Sequence, residues 1–128
     1  MTDPLLPPVV QMLEVAPTFV VSDLAAAAAR YRETLGFSVE ADDEARPPSV
    51  TLSRDGIAIV LEQREAPSDG ALCPGRARIW VADLESLSIE LRLRGAELLA
   101  EGGTAGEGHR FEVRDDDGNV LCFDQLVD

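Results

Sequence analysis

Phe19-Val-Val-Ser-Asp-Leu24 and Ile79-Trp-Val-Ala-Asp-Leu84 are one phrase written twice, about sixty residues apart. The first opens an alanine-rich segment that closes at Leu35-Gly36, and the second a leucine-rich segment that closes at Arg94-Gly95. The echo continues downstream. Arg54-Asp-Gly56 followed by Ile59-Val-Leu61 returns as Asp116-Asp-Gly118 followed by Leu121-Cys-Phe123. A repeat of this length implies one supersecondary unit, duplicated and packed against its copy.

Each copy reads as β-α-β-β-β. Val15–Val21 has the pattern of a strand, and Asp23 is a good N-cap for the helix behind it. Leu24, Ala27, Ala28, Tyr31 and Leu35 form one apolar helical stripe, and Gly36 ends it. Phe37–Ala41 alternates as a strand, and Asp42–Pro48 is a polar loop. Val50–Ser53 and Ile57–Gln63 then pair as a hairpin through Arg54-Asp-Gly56. The second copy has a strand at Arg76–Val81, the N-cap Asp83, a helix over Leu84–Arg94 and the stop Gly95. A weak strand at Glu97–Ala100, a glycine-rich loop at Glu101–Gly108 and a hairpin of Arg110–Arg114 with Val120–Leu126 complete it. The expected class is α+β, with an arm at residues 1–14 and one domain over 15–128. Module one covers 15–63, a proline- and glycine-containing linker 64–75, and module two 76–128. The apolar arm residues Val9, Val10, Met12 and Leu13 would cover either the domain's own core or a partner subunit.

The 128 residues suffice for one domain that buries roughly two-thirds of its unfolded surface. No apolar run is long enough to cross a bilayer, and Met1–Pro8 lacks a basic region followed by an apolar one, so the expected location is the cytoplasm. The net charge of −13 arises from 24 acidic residues and 11 basic ones, all arginine. That balance opposes nucleic-acid binding, which requires cations to displace counterions. Cys73 and Cys122 form no CxxC pair and read as reduced thiols.

Phe19-Val-Val-Ser-Asp-Leu24, Tyr31-Arg-Glu-Thr-Leu-Gly-Phe37 and Arg114-Asp-Asp-Asp-Gly-Asn119 together resemble the vicinal oxygen chelate superfamily. That group contains glyoxalases, fosfomycin-modifying enzymes, extradiol dioxygenases and bleomycin-resistance proteins. The resemblance spans residues 15–126 and implies two βαβββ modules whose mixed sheets curl around a cleft. In many members the cleft holds a divalent metal, bound by His or Glu on the first and last strands of each module. Carried onto this chain, those positions are Ala16 and Val60 in module one, and Arg76 and Cys122 in module two. Alanine and valine cannot ligate, and arginine stays protonated and repels a cation. Cys122 alone does not hold a metal, since catalytic sites generally need about three protein ligands. The expectation is no metal and no cofactor. Cys73, His109 and Cys122 match no metal-binding spacing, so His109 reads as a loop residue or a hydrogen-bond donor at the cleft mouth.

Strand alternation then sorts the faces. If Phe19, Val21, Ile79 and Val81 point at the helices, then Thr18, Val20, Arg76, Arg78 and Trp80 point into the cleft. Val60, Glu62, Arg110, Glu112, Arg114, Cys122 and Asp124 share that side. The expected ligand-binding set is Arg76, Arg78, Trp80, Glu62, Arg110, Glu112 and Cys122. Trp80 beside guanidinium groups would stack on a planar ligand and bind its carboxylate, phosphate or carbonyl. The competing reading packs Trp80 in the core and pairs the arginines with Glu112, Glu62 or Asp124. Cys122 is a nucleophile candidate or inert strand packing.

The resemblance is nearest to the bleomycin-resistance branch, through the ending Asp117-Gly-Asn-Val-Leu-Cys-Phe-Asp-Gln125. It implies a metal-free protein that sequesters a small organic molecule and forms a homodimer; the charge balance and the short apolar runs add the expectation of no nucleic acid and no membrane as partner. Two alternatives stand beside it: a metal-dependent lyase, isomerase or dioxygenase, and an interaction module whose cleft is filled by its own side chains.

Overall fold

The computed structural model describes residues 9–65, 73–100 and 110–126. His109 and the loop 101–108 lie outside the described residues. The chain is α+β, with two four-stranded mixed sheets and two helices. Module one runs β1 (Thr18–Val21), α1 (Leu24–Leu35), β2 (Ser38–Asp43), β3 (Ser49–Arg54) and β4 (Ile57–Gln63). Module two runs β5 (Arg76–Val81), α2 (Leu84–Leu93), β6 (Leu99–Ala100), β7 (Arg110–Arg114) and β8 (Val120–Gln125). The sheet orders are β1-β4-β3-β2 and β5-β8-β7-β6, the same topology twice. In each, the first strand lies parallel to the last and the rest is antiparallel.

The duplication extends to single hydrogen bonds. Asp23 caps α1 by accepting from the amide of Ala26, and Asp83 caps α2 by accepting from that of Ser86. Gln63 Oε1 accepts from the Leu24 amide, and Gln125 Oε1 from the Leu84 amide. Each glutamine thus satisfies a helix-terminal N–H that lacks an intrahelical partner. Gly36, at φ 73°, ends α1 with its amide bonded back to the last turn. A side chain there would also collide with the Arg54 guanidinium. Strand β1 starts at Thr18 rather than Val15, leaving Val15 exposed.

The helices and sheets bury one core that joins both modules. Phe19, Val21, Tyr31, Leu35, Leu52, Ile59 and Leu61 meet Leu84, Leu91, Phe111, Val113, Leu121 and Phe123. Ile79 and Val81 pack against this cluster less completely. The arm residues Val9, Val10, Met12 and Leu13 are almost fully exposed, so within one chain they cover none of this core. No helix among the described residues is long and apolar enough to cross a membrane.

The modules are also fastened crosswise, hairpin to helix. Arg54 of the first hairpin holds Glu90 of α2 through two hydrogen bonds of 2.8 and 2.7 Å, which draw the Glu90 carboxyl below its ordinary range. On the opposite side, the buried Tyr31 hydroxyl of α1 donates to Asp115 Oδ2 of the second hairpin at 2.8 Å. Burial, with Asp115 beside it, raises the Tyr31 pKa far above its ordinary 10.0. Because the folded value lies above the unfolded one, this contribution to stability is complete below about pH 10 and is lost as pH rises further. Tyr31 is the only tyrosine in the chain, so ultraviolet absorbance of tyrosinate reports it directly. The expected result is that tyrosinate appears only together with alkaline unfolding. Tyr31→Phe should remove that pH dependence and lower stability at neutral pH by about 1 kcal/mol.

Candidate functional site

The sheet of module two carries a row of arginines across one face. Pairing of β5 with β8 sets Arg76 beside Val120, Arg78 beside Cys122 and Trp80 beside Asp124. Pairing of β7 with β8 adds Arg114 beside Val120, Glu112 beside Cys122 and Arg110 beside Asp124. Since cross-strand neighbours share a face, all nine side chains stand on one side of the sheet. The opposite side carries Ala77, Ile79, Phe111, Val113, Leu121 and Phe123 and packs into the core.

Two carboxylates organise the four guanidinium groups. Glu112 is buried and lies 2.9 Å from Arg76 and 3.4 Å from Arg114. Asp124, also buried, lies 3.4 Å from Arg78 and 3.2 Å from Arg110, with the nearest approach through Nε in both cases. Among the described residues, four guanidinium groups surround two carboxylates, inside a strongly acidic protein. The carboxylates hold the arginine stems in place while the guanidinium groups stay roughly half exposed. Such a cluster is pre-arranged to receive an oxyanion or carbonyl by paired hydrogen bonds.

Trp80 is 54% exposed, which rules out the core-filling role. The pairing of arginines with Glu112 and Asp124 does occur, and it coexists with an exposed indole instead of replacing it. Glu62 lies in the other sheet, beside Val20 and Ser49, so strand pairing does not bring it to the arginines. Its own face carries Thr18, Val20, Thr51 and Val60, and Asp43 joins Glu62 there through Ser49, so that face is acidic. Asp124 and Arg114 complete the cluster and were legible only as members of the same face. Their role as partners depends on side-chain reach, which alternation does not report.

Cys122 is fully buried beneath Arg78 and Glu112, and neither cysteine forms a disulfide. Burial opposes both formation of a thiolate and its access to reagents. Native protein treated with iodoacetamide should therefore label at the exposed Cys73, with Cys122 reacting only after denaturation. Peptide mass mapping would read this.

At the positions where a metal would be bound, Ala16 precedes β1 and Val60 faces Thr18 across the β1–β4 ladder. Arg76 is held by Glu112, and Cys122 is enclosed. Among the described residues no three His, Cys, Asp or Glu side chains converge as a metal set. The groups at these points do not fit a divalent cation.

The family model for the glyoxalase/bleomycin resistance protein/dioxygenase superfamily matches residues 12–123. The chain belongs to that superfamily. No match to a curated protein was found. Among solved structures, it is similar to TnmS3, an antibiotic binding protein from a Streptomyces species. Identity is 24%, the TM-score is 0.66, and the match covers 91% of this chain and 99% of that one. TioX from a Micromonospora species matches with a TM-score of 0.70 at 16% identity, covering 89% of this chain and 99% of that one. A superfamily member from Sphaerobacter thermophilus matches with a TM-score of 0.69 at 24% identity, covering 90% and 98%. At these identities the similarity speaks for the fold, and the site has to be argued from its own residues.

Proposed function

We propose that this superfamily member is a metal-free cytosolic protein that binds and sequesters a small organic molecule. The observation that carries the reading is the arginine-rich sheet face with Trp80 exposed beside it. A fixed guanidinium cluster next to an open indole suits a planar aromatic molecule bearing a carboxylate or several carbonyls. The indole supplies stacking area, and the arginines supply charge and orientation. One structural neighbour, TnmS3, is itself an antibiotic binding protein, which agrees in kind with this reading.

The reading includes a homodimer. In one chain the arginine face is open and the apolar arm at residues 9–13 is unburied. A second copy would cover both and set the acidic face of module one, with Glu62 and Asp43, against the cationic face of module two. Aromatic compounds, anionic and cationic, screened by thermal melting test the binding claim. A true ligand at a hundred times its dissociation constant raises stability by about 2.7 kcal/mol. Stabilisation by anionic or polycarbonyl aromatics supports the proposal, and stabilisation by cationic drugs alone reverses the charge argument. Elemental analysis of purified protein decides the rest, since near-stoichiometric nickel, zinc, manganese or iron would replace sequestration with metal-dependent catalysis.

A further inference from the structure

The duplication is broken where each helix meets the other module's hairpin. On one side Tyr31 of α1 reaches Asp115, and Asn119 reaches the Val20 carbonyl, so the β7–β8 turn fills the junction. On the other side the counterpart of Tyr31 is Leu91, counted along the helices from their caps Asp23 and Asp83. The counterparts of Asp115 and Asn119 are Ser53 and Ile57, counted from the turn glycines Gly56 and Gly118. Leucine is shorter than tyrosine, and neither serine nor isoleucine can rebuild the carboxylate and amide that seal the first junction. A cavity of about 510 Å³ occupies this second junction.

Its apolar walls include Leu35, Phe37, Ile79, Leu87 and Leu91, with Ile57 half-exposed, and Trp80 also lines it. This is the helix side of β5, where Ile79 and Val81 stay incompletely covered. The polar groups along the edge are already engaged. Arg54 is bound to Glu90 and to the Leu35 carbonyl, Arg94 also holds Glu90, and Ser86 donates to Asp83. The volume falls within the range of small-molecule sites, about 300–1,000 Å³. Arg54 and Glu90 neutralise each other, Asp55 stands against Arg54, and both Asp83 oxygens are engaged by Ser86, so a charged guest would lose hydration with little return. We propose that this cavity, on the helix side of β5 and sharing with the arginine face only Trp80, is a second binding site for a compact uncharged apolar molecule such as a bicyclic aromatic or a terpene-like hydrocarbon.

The test is an NMR titration of the isotope-labelled full chain with naphthalene. Saturable shifts at the amides of Ile79, Leu87 and Leu91, with those of Glu112 and Cys122 unmoved, are expected. Ile57→Trp fills the cavity from a half-exposed position and should weaken binding at least tenfold. Should that variant fail to fold, Leu87→Phe narrows the same space from α2. Absence of saturable shifts overturns the proposal, as do shifts centred on Cys122. Intermolecular contacts showing residues 9–15 of a second copy inside the cavity would also overturn it, by making the occupant a protein segment.

Discussion

Asn119→Ala is expected to lower stability by about 3 kcal/mol, because several part-buried backbone and side-chain groups lose their partner at once. Asn119 is 2% exposed, and its side chain bridges the two modules. Its Oδ1 accepts from the Gly75 amide at 2.7 Å, while its Nδ2 donates to the Val20 carbonyl at 3.1 Å and to Asp115 Oδ2 at 2.9 Å. Gly75 itself lies against Phe19 so closely that even a methyl group there would collide with that ring. Alanine would leave the part-buried amide and carbonyl without their protein partner. In a chain of this size such a loss lowers the thermal midpoint by about 10 °C. Asn119→Asp separates shape from chemistry. It keeps an acceptor for Gly75 but loses the donor to Val20 and sets a second carboxylate against Asp115. It should therefore be no more stable than the alanine variant at neutral pH. Wild-type-like melting of both variants would remove Asn119 as the joint between the modules.

That joint was invisible in the sequence, although the fold was not. The paired capping aspartates, terminating glycines and Asp-Gly turns are local signals, since each depends on backbone geometry within a few residues, and they placed the helices and hairpins within a few residues of their observed ends. Gln63 and Gln125 repeat as faithfully, yet their bonds run to amides 39 and 41 residues away, and no local pattern announces them. The arginine face was legible for a related reason. Alternation with period two needs only the strand, so Arg76, Arg78 and Trp80 could be assigned to one side and Cys122 and Glu112 to the same side through pairing. Alternation does not tell which residues on a face touch, which is why Glu62 was grouped with a cluster that lies in the other sheet. The cavity beside α2 lay further out of reach. It arises from the difference between Tyr31 and Leu91, two apolar positions on equivalent stripes that periodicity treats alike.

Trp80→Ala is expected to cost a ligand of the arginine face about 2 kcal/mol or more, a loss of affinity of at least roughly 30-fold. The magnitude follows from what tryptophan contributes to such sites: a large rigid surface that is partly desolvated already. Since half of the indole faces solvent in the free chain, its removal should change unfolding stability by under about 1 kcal/mol. Arg78→Ala supplies the complementary measurement. Asp124 retains Arg110 when Arg78 is removed, so the fold should persist while one of the ligand's ionic partners disappears. The two variants should differ in salt dependence. Loss of the indole leaves the electrostatic share intact, so affinity of the Trp80 variant should still fall as salt rises, whereas the Arg78 variant should respond less. If Trp80→Ala unfolds the domain, the indole is packing despite its exposure. If instead both variants bind every tested aromatic acid as the parent does, the guanidinium groups serve only to neutralise Glu112 and Asp124, and recognition belongs elsewhere on the molecule.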